Sequence, residues 1–165
     1  MNRKRYIQPE WRGRMYRYAP VFLWIGFILY LSSPNGSMTE TSRIIGPLLK
    51  FFFPAITDET LKFVHAIVRK AAHLTEYAIL ALLAFRALSL SMVARVRLRM
   101  YWLPVVVVAL IASIDEFNQS FEGSRTGSAM DVLLDVTGGA LMIAFLYVLK
   151  RPRKQSSDGS DLSLS

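Results

Sequence analysis

Nine polar residues have types and spacings that could act together chemically, although most of them sit inside or beside strongly apolar blocks. Asp115, Glu116 and Gln119 occur in one such block and Asp131 and Asp135 in the next, with Arg125 between them. Lys70, His73 and Glu76 lie some forty residues earlier. Ionisable groups in lipid-soluble segments cost free energy, so they tend to be paired, interior-facing and functional. A histidine one helical turn from a glutamate supplies an acid/base pair, and paired carboxylates extend that capacity. On this reading His73, Glu76, Asp115 and Glu116 are the candidates for proton transfer. Lys70, Gln119 and Arg125 would hold a ligand, Arg125 being suited to a carboxylate or phosphate. Asp131 and Asp135 could hold a divalent cation, and their hard oxygen ligands would favour Mg²⁺ or Ca²⁺.

The elements that must position these residues follow from composition. The chain has 165 residues, 53% of them hydrophobic, and the apolar residues are gathered in long blocks rather than spread along amphipathic stretches. A soluble domain of this size would not be built that way. Four blocks reach the roughly 20 residues that a spanning helix needs. They lie at about 16–33, 66–90, 100–121 and 128–149, predicting an all-α, four-helix transmembrane bundle. The run Val105–Val108 has strand propensity, but its length and the need to satisfy every backbone group in lipid favour helix. Pro104 is expected near the start of that helix, where a missing N–H costs least. The first block could also be read as a secretory signal peptide. An uncleaved span is favoured, because SSPNGS offers no small-x-small cleavage site and Tyr16, Tyr18 and Trp24 suit an anchored helix.

The net charge of +8 does not point to nucleic acid, because the basic residues flank the apolar blocks instead of lining one face. Six lie before or at the very start of the first span: Arg3, Lys4, Arg5, Arg12, Arg14 and Arg17. Arg86, at the end of the second span, and Arg95, Arg97 and Arg99 lie on its connection to the third, and Lys150, Arg151, Arg153 and Lys154 follow the fourth. These fourteen of the twenty basic residues fall on one side of a four-helix topology, so the positive-inside rule predicts both termini in the cytoplasm. Segment 1–15 is then a basic cytoplasmic lead-in, 16–150 the membrane domain, and 151–165 a polar tail expected to be disordered. The connection from Pro34 to His65 is balanced in charge and should lie outside. Its RIIGPLLKFFFPAI portion is too short to span and suits an interfacial helix or a re-entrant segment. With no cysteine, disulfides and thiolate metal ligands are excluded.

Counting inward from each outer edge at about 1.5 Å per residue places Glu76, Asp115, Glu116 and Asp135 in one layer roughly 5–8 Å deep, with Asp131 at the rim. Ser32 and Ser33 end the first span at the same level. Lys70, His73, Glu76 and Tyr77 share one helix face, as do Asp115 with Gln119 and Asp131 with Asp135. Ser124, Thr126 or Ser128 can cap the last helix. Gly138 and Gly139 continue its polar face and read as packing glycines. Some residues have a plainer reading. Arg69 suits a snorkelling interface residue, and His65 an outer-loop or interface residue. The acids as a group could also be a structural hydrogen-bond network fixing helix register.

The combination KAAHLTEYAIL (Lys70–Leu80), DEFNQ (Asp115–Gln119), Arg125 and DVLLDVTGG (Asp131–Gly139) resembles the VanZ-like family of multi-pass bacterial membrane proteins. That family's pattern has a K-x-x-H-x-x-E-Y run, then D-E-x-x-Q, an Arg six residues on, and D-x-x-x-N-x-x-G six beyond that. The spacings agree throughout, and Asp135 stands where Asn is common. The resemblance implies a bacterial cytoplasmic-membrane protein of the cell envelope, in a family linked to resistance to the glycopeptide teicoplanin. It supplies no reaction. Three functions are therefore compatible with the sequence: an enzyme or binder acting on a membrane lipid or cell-envelope headgroup, a non-enzymatic binding or shielding protein, and a small ion-coupled transporter. Four short helices without an inverted repeat count against the last.

Overall fold

The computed structural model describes residues 10–33, 39–91, 99–121 and 128–150. Arg125, Ser124, Thr126 and the 151–165 tail lie outside these. Five helices follow in order: α1 (Glu10–Ser32), α2 (Thr39–Phe52), α3 (Asp58–Ser89), α4 (Arg99–Ser120) and α5 (Ala129–Leu149). All but α2 are long and apolar enough to cross a membrane. The run Val105–Val108 is helical, as the backbone accounting of lipid requires.

Two boundaries differ from expectation. Helix α3 begins at Asp58, not near residue 66, because Thr57 is its N-cap and accepts a hydrogen bond from the Thr60 amide, with Asp58 and Glu59 in the first turn. His65 therefore belongs to α3 and not to a loop. Helix α1 starts at Glu10 rather than at 16. Pro104 falls near the start of α4 as expected, in its second turn, just past the first four residues whose N–H groups have no partner within the helix. At 1.5 Å per residue the 32-residue α3 is about 48 Å long, against about 33 Å for the 22-residue α4, so α3 outruns its neighbours. Helix α2 has 14 residues and packs against α3. A Cβ on its buried Gly46 would lie 4.0 Å from His65 Cε1, while Leu48, Phe51 and Phe52 stay exposed. The sequence expectation of a short, non-spanning helix in this segment thus matches α2.

The core is a seam shared by α3, α4 and α5, with α1 laid against α3 and more lightly against α4. On α3 the buried stripe is Tyr77, Leu80, Ala81, Ala84, Phe85 and Ala87, the i, i+3, i+4 pattern of one helix face. Pro104, Val108 and Ala112 form the matching stripe on α4, and Gly138, Gly139 and Ile143 that on α5. Small residues let the backbones approach. A Cβ on Gly138 would meet the Leu74 carbonyl oxygen at 2.5 Å, and one on Gly139 would meet both Val108 methyls at 3.0 Å. These two glycines are the contact points of α5 with α3 and α4. The outward faces carry large apolar side chains such as Phe22, Leu110, Leu133 and Phe145, as lipid contact demands.

Candidate functional site

Followed toward the ends where α1 and α4 finish and α5 begins, each buried stripe turns polar. On α4 the stripe continues as Asp115, Glu116 and Gln119, on α5 as Asp135, and on α1 it ends at Ser32. On α3, Tyr77 leads to His73 and Arg69. The polar layer is thus a continuation of the core seam, and it divides into two parts.

The first part is an enclosed network around Asp115, which is fully buried. Its Oδ2 accepts hydrogen bonds from Ser32 Oγ at 2.8 Å, Gln119 Nε2 at 3.0 Å and Tyr77 Oη at 3.3 Å. These partners come from α1, α4 and α3, so a single carboxylate oxygen joins three helices. Gln119 Oε1 in turn accepts from Arg69 Nη2 at 3.2 Å. Nearby, Trp24 Nε1 donates to the Glu76 carbonyl oxygen at 2.9 Å, fixing α1 against α3. Glu76 itself is half-buried and does not border the cavity described next.

The second part is a cavity of about 130 Å³ between α3, α4 and α5. Ala66, Arg69, Lys70 and His73 line it from α3, and Glu116 from α4. Asp131, Leu134 and Asp135 line it from α5. His73 Nδ1 stands 3.6 Å from Asp135 Oδ1, within ion-pair range but beyond hydrogen-bond length. The His73 side chain is 15% exposed and Asp135 is 0% exposed, so the pair is nearly dry. His73 also stacks beside Tyr77, with centroids 6.5 Å apart, which connects the cavity to the Asp115 network. Glu116 Oε2 accepts from the Ser128 amide at 2.9 Å, occupying one free N–H at the start of α5. Ser128 is the N-cap of that helix, its hydroxyl accepting from the Met130 amide.

Several buried acceptors in this region have no hydrogen-bond partner among the described residues: Asp115 Oδ1, Glu116 Oε1 and both oxygens of Asp135, together with His73 Nδ1. Buried polar atoms are nearly always partnered in folded proteins. A concentration of exceptions beside a cavity marks a place built for something other than packing.

Among the candidates from sequence, Lys70, His73, Glu116, Asp131 and Asp135 are brought together around the cavity. Asp115 and Gln119 stand behind it, where they anchor helices and hold Arg69. Arg125 lies outside the described residues. Among the described residues no group of three or more His, Asp or Glu side chains is placed to hold a metal ion, so the cation reading of Asp131 and Asp135 is left with two carboxylates. Arg69, read from sequence as a snorkelling residue, is instead bonded to Gln119 and lines the cavity. The signal that finds it is the i, i+4 step from Arg69 to His73, which continues to Tyr77.

Comparison with known proteins returns no match among curated proteins and none among solved structures. The family described as VanZ/LLP1 matches residues 18–150, which takes in α3, α4 and α5 whole, most of α1 and both parts of the polar layer. Its span covers most of the chain and agrees with the motif spacing and the all-α membrane architecture, and the chain belongs to the VanZ/LLP1 family.

Proposed function

We propose that the chain binds a membrane lipid or cell-envelope headgroup in the cavity at one end of the α3–α4–α5 seam, with the His73–Asp135 pair as its proton-transfer element. The observation that carries this reading is the pair itself. A histidine and a fully buried carboxylate face each other at 3.6 Å across a cavity that also holds Arg69, Lys70 and Asp131. A general base needs an orienting partner and room for the group it serves, and this arrangement supports both. Among the described residues the lining contains no Ser, Thr or Cys, which favours proton transfer to or from a bound hydroxyl or water over attack by a side-chain hydroxyl or thiol. We place the cavity at the outer-leaflet side of the bacterial cytoplasmic membrane, with both termini in the cytoplasm, on the strength of the partition of basic residues. A protein acting there on an envelope headgroup would change what glycopeptides such as teicoplanin meet.

The test is native mass spectrometry of the purified full chain, together with lipid analysis of cells expressing it. Wild-type protein should retain a lipid or envelope intermediate that His73→Ala loses while keeping its helical content. Headgroup composition should shift with wild type and not with His73→Ala. Equal retention by both forms would remove the cavity from the function. Retention without any change in composition favours a second, binding-only reading, which the small cavity also supports.

A further inference from the structure

We propose that the cavity selects a headgroup combining a phosphate with a primary ammonium, the phosphate lying toward Arg69 and Lys70 and the ammonium toward Asp131 and Asp135. This rests on the headgroup reading above and narrows it to a class.

Charge separation within the lining is the first argument. Both cations come from α3 and both aspartates from α5. Among the described residues neither Arg69 nor Lys70 forms an ion pair with an aspartate across the cavity. Arg69 commits one guanidinium nitrogen to Gln119, and guanidinium has further N–H donors that can meet an anion. A ligand with only negative charge would satisfy this side while facing Asp131 and Asp135 as like charges. One with only positive charge would reverse the conflict. A dipolar group satisfies both sides.

Acceptor arithmetic is the second argument, and it separates one ammonium type from another. Three carboxylate oxygens of the lining are buried without a hydrogen-bond donor among the described residues: Glu116 Oε1 and the two oxygens of Asp135, whose Oδ1 has only the longer 3.6 Å approach of His73. Leaving such acceptors unmet is costly, more so when they are charged. A primary ammonium brings three N–H donors and no acceptor. A trimethylammonium brings none, so it would fill the space and leave all three oxygens unmet. Size agrees with a headgroup. With liquid water occupying about 30 Å³ per molecule, the 130 Å³ cavity has room for about four waters. Acyl chains must remain outside, beside the apolar faces of α3 and α5.

Two sources share this chemistry, an ethanolamine phospholipid and a soluble amino-alcohol phosphate, and the experiment separates them. Purified full chain in detergent is titrated with dihexanoyl phosphatidylethanolamine, phosphatidylcholine and phosphatidylglycerol, read by native mass spectrometry. Phosphoethanolamine is then added as competitor. The ethanolamine lipid should bind roughly tenfold to a hundredfold more tightly than the other two, the range expected for charge-assisted hydrogen bonds. Asp131→Asn, at the rim, should collapse that preference with the melting temperature unchanged. Arg69→Gln should weaken all three lipids together. Displacement by phosphoethanolamine at matching concentration assigns a soluble source, and resistance to it assigns the lipid. Equal binding of the three lipids, lost in His73→Ala, would overturn the selectivity and leave the headgroup reading standing. An unchanged preference in Asp131→Asn would also overturn it. Retention of no lipid at all would remove both.

Discussion

Gly138 offers the most quantitative test of how the bundle holds its site. A Cβ there would lie 2.5 Å from the Leu74 carbonyl oxygen and 3.1 Å from Leu74 Cα. These are backbone atoms, which cannot rotate away. Ordinary contact begins near 3.4 Å, so Gly138→Ala requires α3 and α5 to separate by up to about 0.9 Å. Overpacking of this kind costs about 1–3 kcal/mol, and a backbone clash belongs at the upper end. Replacing glycine by alanine in a helix returns about 1 kcal/mol. The expected net loss is about 2 kcal/mol, which for a chain of this size lowers the melting temperature by roughly 4–8 °C. Gly26→Ala is the control, since a Cβ there meets nothing within 4 Å and should leave stability level or slightly raised. Gly139→Ala, at 3.0 Å from the Val108 methyls, should fall between them. The same separation would widen the His73–Asp135 gap from 3.6 Å toward about 4.5 Å, so lipid retention should weaken along with stability. Thermal unfolding of the three purified variants in one detergent is the assay. A Gly138→Ala protein that melts with or above Gly26→Ala would refute the close α3–α5 approach and the site geometry built on it.

Ser32→Ala and Tyr77→Phe each remove one donor to Asp115 Oδ2. Each should cost about 0.6–1.7 kcal/mol, from the average to the maximum for hydrogen bonds between membrane helices. Their double mutant should depart from additivity because both act on one oxygen, and simple additivity in a thermal-unfolding cycle would dissolve the network. Orientation can be tested with single cysteines, since the chain has none of its own. Thr60→Cys should react with a membrane-impermeant maleimide in intact cells, and Ser156→Cys only after permeabilisation. The opposite pattern would move the cavity to the cytoplasmic side.

Much of the architecture was legible in the residue string because lipid leaves few choices. A stretch of about 20 apolar residues must be helical to satisfy its own backbone, so four spans could be placed within a few residues, save where α1 and α3 begin. Those starts were missed because Glu10, Asp58 and Glu59 are polar and hydropathy stops at them, whereas a helix continues to its cap at Thr57. Helical periodicity also grouped Lys70 with His73 and Asp131 with Asp135 before any contact was known.

Tertiary packing decided how the described candidates divide. Asp115 and Glu116 are adjacent in sequence, yet one is sealed among Ser32, Tyr77 and Gln119 while the other lines the cavity and meets the Ser128 amide. Neighbours on a helix point about 100° apart, and only the positions of α1 and α5 around α4 determine what each direction faces. Arg69 changed reading for the same reason, because its partner Gln119 is fifty positions away on another helix. The sequence alone led to the expectation that polar groups would gather in one layer at one end of the bundle, since depth depends only on distance along each helix. Which of them anchor helices and which face an open cavity depends on rotation and neighbour order, and those exist only in the packed bundle.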